Sequence, residues 1–100
     1  MASYISLIRW TDQGIKSYGN TIDRAEAAGQ LAAKVGVTMK QIYWTLGAYD
    51  LMSILEAADD ESVTAFTLAL SSLGNVRTTT MRAFDTAEMR EIVAKHRMYI

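Results

Sequence analysis

The chain has 100 residues, half of them hydrophobic, with ten basic and eleven acidic side chains and a formal net charge of −1. This length sets a single domain over residues 1–100, and the apolar content excludes a disordered chain. The charges are interspersed with no basic stripe, which argues against nucleic-acid binding, and the lack of cysteine excludes disulfides, thiolate catalysis and Cys-based zinc sites.

Ser3 to Trp10 alternates and is rich in β-formers, so it reads as a first strand. Thr11 and Asp12 offer side-chain oxygens to a helix start. A short helical turn near Gly14 to Tyr18 precedes the main helix, interrupted by Gly19-Asn20. That helix is expected from Thr21 to Val35, with Ile22, Ala25, Gly29, Ala32 and Val35 on its inward face and Gly36 as a left-handed stop. Thr38 to Leu46 and Leu51 to Glu56 read as strands, and the short Gly47-Ala48-Tyr49-Asp50 link makes them an antiparallel hairpin.

Asp59 or Asp60 caps the next helix, whose apolar stripe is Val63, Phe66, Ala69, Leu70 and Leu73. Gly74-Asn75 ends it, with Gly74 at positive φ. Val76 to Phe84 is a fourth strand. Asp85 with Glu88 matches a capping box, opening a last helix with Met89, Ile92, Val93 and His96 on one face. The order β-α-β-β-α-β plus a C-terminal helix predicts an α+β, ferredoxin-like fold: a four-stranded antiparallel sheet with both main helices on one face.

Strand alternation divides the sheet into two sets of residues. Ile5, Leu7, Met81 and Ala83 suit the helices. Tyr4, Ile8, Trp10, Thr78, Thr80 and Arg82 are then expected on the uncovered face, a mixed apolar and polar surface of the kind that marks an interface or ligand groove.

Five groups are candidates for chemistry. Tyr49 beside Asp50 pairs a hydroxyl with a carboxylate for proton transfer or polar binding; the alternative is that Asp50 accepts backbone N–H groups in the turn while Tyr49 packs. Thr78, Thr80 and Arg82, with Arg77 on the other face, suit a carboxylate or phosphate, or else an ion pair. Trp10, Tyr43, Trp44 and Met52 can wall a pocket for a flat organic ligand, or form core and interface. His96 is a candidate axial haem ligand or general base, and a surface or helix-packing histidine is the favoured alternative. Asp59-Asp60-Glu61 is explained by capping, so no metal site is expected.

The run Trp10-Thr11-Asp12-Gln13-Gly14-Ile15, the set Gly47, Tyr49 and Asp50, the stretch Glu56-Ala57-Ala58-Asp59-Asp60, and above all Gly74 to Phe84 resemble the GYD-domain family of small bacterial proteins. Family members often carry proline where this chain has Ala58, which bears on the helix entry angle alone. The resemblance implies a dimeric α+β barrel architecture. That larger group includes cofactor-independent monooxygenases, haem-degrading enzymes and small-ligand sensors, while the GYD family itself implies no settled activity.

The resulting expectation is a cytoplasmic homodimer or higher even oligomer that binds a small organic ligand and needs no cofactor, nucleic acid or membrane. No apolar stretch approaches the roughly 20 residues of a membrane span. One alternative is a cofactor-independent monooxygenase or isomerase. In it Tyr49 and Arg82 position the substrate, Asp50 moves the proton, and Trp10 and Tyr43 form the wall. The other alternative is a ligand-sensing regulatory module.

Overall fold

The computed structural model describes residues 1–97, with side chains described as far as Lys95. Its four strands are β1 (Ala2–Trp10), β2 (Val37–Trp44), β3 (Leu51–Ala57) and β4 (Val76–Ala83), ordered β2-β3-β1-β4 with every neighbouring pair antiparallel. The helices are α1 (Asp12–Lys16), α2 (Thr21–Lys34), α3 (Asp60–Ser72) and α4 (Thr86–Arg97), with a 3-10 turn at Tyr18–Asn20 before α2. This is the ferredoxin-like α+β order expected from the hydrophobic periodicity.

The punctuation is local and chemical. Asp59 caps α3, its Oδ1 accepting the Ser62 N–H at 2.9 Å, and this bond holds the Asp59 carboxyl below the usual carboxylate range. Asp85 and Glu88 form the reciprocal capping box at α4, with bonds of 2.8 and 3.1 Å. Gly36 and Gly74 end α2 and α3 at φ +81° and +86°, where a side chain is strained.

The core lies between the sheet and α2 with α3. Tyr4, Leu55, Val37, Ala57, Val63 and Phe66 are buried there against Ala28 and Ala32. The small side chains of α2 let its backbone approach the strands closely. The inward face of α2 keeps Ala32 and Val35 of the expected set but is shifted at its start: Ala28 is buried, while Ile22 is 61% exposed. Leu73 is likewise exposed at the end of α3 rather than completing its stripe.

The two sheet faces are also the reverse of those expected. Tyr4, Ser6, Ile8 and Trp10 pair across β1 and β4 with Arg82, Thr80, Thr78 and Val76, and this set faces the helices. The open face carries Ile5, Leu7 and Arg9 beside Met81, Thr79 and Arg77, with Ile54 and Met52 from β3. The reason is polar pairing. The Ser6 and Thr80 hydroxyls share a hydrogen bond at 2.9 Å, and the Tyr4 hydroxyl donates to Asp60 in the first turn of α3. The polar atoms of the mixed set are thus satisfied inside, which removes the penalty that alternation alone assigns them. A bulge at Lys40 adds a second shift, so Met39 and Ile42 both face the helices although three positions apart.

A clasp joins the end of β1 to the α3–β4 turn. The Thr11 N–H donates to the Asn75 carbonyl at 3.0 Å, and its hydroxyl donates to the Gly74 carbonyl at 2.5 Å. Gln13 Nε2 reaches the Leu73 carbonyl at 3.1 Å and the Asn75 side-chain oxygen at 2.9 Å. Gly14 sits so close to Asn75 that any Cβ there would run into the Asn75 carbonyl.

α4 stands off this body, and the protein measures 53 × 30 × 18 Å. Its link is a 3.4 Å ion pair from Arg82 to Glu88 in its first turn, while Met89, Ile92 and Val93 are partly exposed. It does not lie across the open sheet face. The His96 side chain lies outside the described residues.

Three substitutions test this packing by urea denaturation. Phe66→Ala is expected to cost about 3–5 kcal/mol, the range for a buried aromatic. Gly14→Ala is expected to cost about 1–3 kcal/mol through overpacking against Asn75. Gly29→Ala, where a Cβ meets nothing within 4 Å, should instead stabilise α2 by about 0.5–1 kcal/mol.

Candidate functional site

Two recesses flank α3 on the helix face of the sheet. The larger, about 500 Å³, opens between α2, α3 and the strands. Ile8, Leu31, Ile42, Leu51, Phe66 and Leu70 form its walls, Ser6 and Ser53 its polar floor, and Arg24 with Asn75 part of its rim. Arg24 is half-buried and fixed: NH1 donates to the Ser17 hydroxyl at 3.0 Å and NH2 to the Gly14 carbonyl at 3.1 Å.

The smaller recess, about 400 Å³, lies between α3 and β4 and is more polar. It brings together Tyr4, Asp60, Thr78, Thr80 and Arg82. Arg82 is heavily engaged: its guanidinium lies 4.6 Å from the Phe84 ring centre and 5.6 Å from that of Tyr4. It also donates to the Ser3 carbonyl at 3.1 Å and to the Ala83 carbonyl. The hydrogen bond to the Asp60 carboxylate raises the Tyr4 hydroxyl above its ordinary pKa of 10.0, with desolvation and the charge of Asp60 acting the same way.

The residues singled out from sequence are therefore distributed. Thr78, Thr80 and Arg82 share the smaller recess. Trp10 lines the larger one, while Tyr43 points to the open face and is 54% exposed, so the two do not wall one pocket within a subunit. Trp44 points to the helix side and donates from Nε1 to the Thr21 hydroxyl at 2.9 Å. Met52 lies on the open face, and Arg77 is exposed beside Arg9.

Asp50 and Tyr49 are built into the hairpin loop. Asp50 Oδ2 accepts the Trp10 N–H at 2.9 Å, and the Asp50 N–H donates to the Ile8 carbonyl at 2.8 Å. The Tyr49 carbonyl accepts the Thr45 hydroxyl at 2.6 Å, and the Tyr49 ring stacks under Arg9 at 4.9 Å. Asp50 thus ties the β2–β3 loop to the end of β1.

Sequence reading missed the large cavity and Arg24. The available signal was a charged side chain in line with Ala28, Leu31, Ala32 and Val35 on the inward stripe of α2. Placing that stripe on Ile22 concealed it.

The GYD domain matches residues 4–93. The chain belongs to the GYD domain family. The glutamine synthetase and cystathionine beta-lyase binding protein of Thermus thermophilus is 32% identical over 90 residues, covering 89% of this chain and 95% of that protein. The crystal structure of TTHA0845, also from Thermus thermophilus, superposes with a TM-score of 0.57 at 26% identity, covering 86% of this chain and 96% of that one. A feast or famine regulatory protein from M. tuberculosis, complexed with L-methionine, shares the fold with a TM-score of 0.65 at 15% identity. This chain spans about half of that regulator, with coverages of 86% and 52%. The GYD turn, the Thr11–Gly14 segment and the Gly74–Asn75 segment meet at one end of β1, so the residues that carry the family resemblance have a shared structural role.

The Tyr4–Asp60 bond gives the smaller recess a pH signature. Because the folded-state pKa of Tyr4 is raised, its contribution to stability is full below about pH 10 and is lost as pH rises through the raised value. Tyr4→Phe should be less stable than wild type near neutral pH, and the gap should narrow above pH 10. Urea midpoints measured across alkaline pH check this; a gap that stays constant would show that the hydroxyl is not held protonated by Asp60.

Proposed function

We propose that this GYD-domain chain is a self-associating binding module: a homodimer or higher even assembly formed through the open sheet faces, acting on enzymes as a protein partner. The open face carries the reading. Ile5, Leu7, Met52, Ile54 and Met81 form an apolar strip across three strands that no helix among the described residues covers, and Met81 alone is 41% exposed. Contiguous apolar surface of this kind marks an interaction site.

The charges favour a second copy as occupant. Arg9 and Arg77 pair at one end of the strip, and Glu56, in a 3.9 Å ion pair with Lys40, lies at the other, opposite Ser3. A two-fold axis lying between the sheets and across β1 sets each arginine end against the partner's glutamate end. The enzyme-partner component is supported by the Thermus relative named for binding glutamine synthetase and cystathionine beta-lyase. The oxygenase alternative uses Tyr49 and Arg82 for positioning, Asp50 for proton transfer, and Trp10 and Tyr43 as a wall; the bond from the Trp10 N–H to the Asp50 carboxylate, and Tyr43 lying on the other face from Trp10, weigh against it. Ligand sensing is the second reading, favoured by the 500 Å³ cavity.

Native mass spectrometry and sedimentation at tens of micromolar should give a dimer or higher even species. Met81→Asp should raise the dissociation constant at least about a hundredfold, equivalent to ~2.7 kcal/mol, with unchanged circular dichroism. A wild-type protein that is strictly monomeric would overturn the self-association. Failure of the immobilised protein to retain either purified glutamine synthetase or purified cystathionine beta-lyase would remove the enzyme-partner component.

A further inference from the structure

We propose that the cavity between α2, α3 and the sheet is a binding site for an amphipathic organic carboxylate, its hydrocarbon body against the apolar walls and its anionic end on Arg24. The proposal deepens the ligand-sensing reading and is independent of self-association.

Size and lining define the body of the ligand. The recess is open at its rim and holds about 500 Å³, within the range of small-molecule pockets. Its walls are hydrocarbon from β1, β2, β3, α2 and α3, which offer water few partners. The alanines of α2 maintain the space, because Ala25, Ala27 and Ala28 line it where larger side chains would fill it.

Charge defines the other end. Among the described residues Arg24 is the one charged side chain lining the cavity, and no acid lines it. Among the described residues the ion pairs are Lys40–Glu56 and Arg82–Glu88, so Arg24 has no carboxylate partner there. Its two hydrogen bonds go to a neutral hydroxyl and a neutral carbonyl. They anchor the guanidinium in place, leave three of its five N–H donors, and leave its charge uncompensated. A fixed guanidinium at the edge of an apolar cavity fits a planar carboxylate through paired N–H donors. Ser6, Ser53 and Asn75 add neutral polar groups and bring no competing charge.

The test compares decanoate with decanol, below the micelle concentration, by calorimetry and by the emission of Trp10 at the cavity wall. Wild type is expected to bind one decanoate per chain, at least tenfold more tightly than decanol. Arg24→Gln should abolish that preference while retaining decanol binding, and Arg24→Lys should restore part of it. Ala28→Leu should weaken both ligands by filling the cavity. Met81→Asp should leave decanoate binding unchanged, which separates this site from the subunit contact. Equal affinity of wild type for the two probes, a preference that survives Arg24→Gln, or no binding of either probe would each overturn the proposal. The two-probe comparison on wild type stands even if a variant fails to fold.

Discussion

The end of β1 is where this fold is tied together. β1 is the strand with two neighbours on which both halves of the chain converge: β3 pairs on one side and β4 on the other. At its C-terminal end two loops and α2 are joined by directional hydrogen bonds. Asp50 brings in the β2–β3 loop, Thr11 and Gln13 grip the α3–β4 turn, and Arg24 ties α2 back to Gly14. Backbone groups at loop ends need partners when water is excluded, and these side chains provide them. The same junction sets the register of β4 on β1 and fixes where α2 and α3 stand above the sheet.

That placement gives the two sheet faces different fates. On the helix side, Tyr4, Ser6 and Thr80 sit among apolar neighbours because each hydroxyl finds a partner. α2 and α3 are held by the junction at one end and by Ala28, Ala32, Val63 and Phe66 at the other. Between these supports they stay apart, and the cavity with Arg24 at its rim is the space left. On the opposite side, nothing among the described residues covers Leu7, Ile54 and Met81. One molecule thus presents a recessed apolar cavity and an open apolar surface, separated by a single layer of strands.

The family motifs acquire a physical reading from this arrangement. Gly14 is required because Asn75 leaves no room for a Cβ, and Gly74 because its φ of +86° strains any side chain. Asp50 is required as an acceptor for the Trp10 N–H. The signature residues bond the β2–β3 loop to the end of β1, and the proposed binding groups lie elsewhere, on α2 and on the open face. Tyr49 belongs with the junction as well, its carbonyl bonded to Thr45 and its ring under Arg9.

Element type and order were legible in the residues alone, because their causes are local. Periodicity marked α2 and α3, Asp59 and the Asp85–Glu88 box marked helix starts, and Gly36 and Gly74 marked stops. The hairpin was legible from Gly47 to Asp50 for the same reason. The inward stripe of α3 was legible too, with Val63 and Phe66 buried, but the inward face of the strands was not. A strand's alternation is symmetric about its own plane, and the choice depended on hydroxyl partners distant in sequence, Ser6 with Thr80 and Tyr4 with Asp60. The bulge at Lys40 and the shifted start of the inward face of α2 likewise follow from packing against elements far along the chain. The candidate site divided in the same way: Thr78, Thr80 and Arg82 were legible as a group because they alternate along one strand. Arg24 and its cavity arose only when tertiary structure set α2 beside α3, since a void is a property of how elements fail to meet and no single segment encodes it.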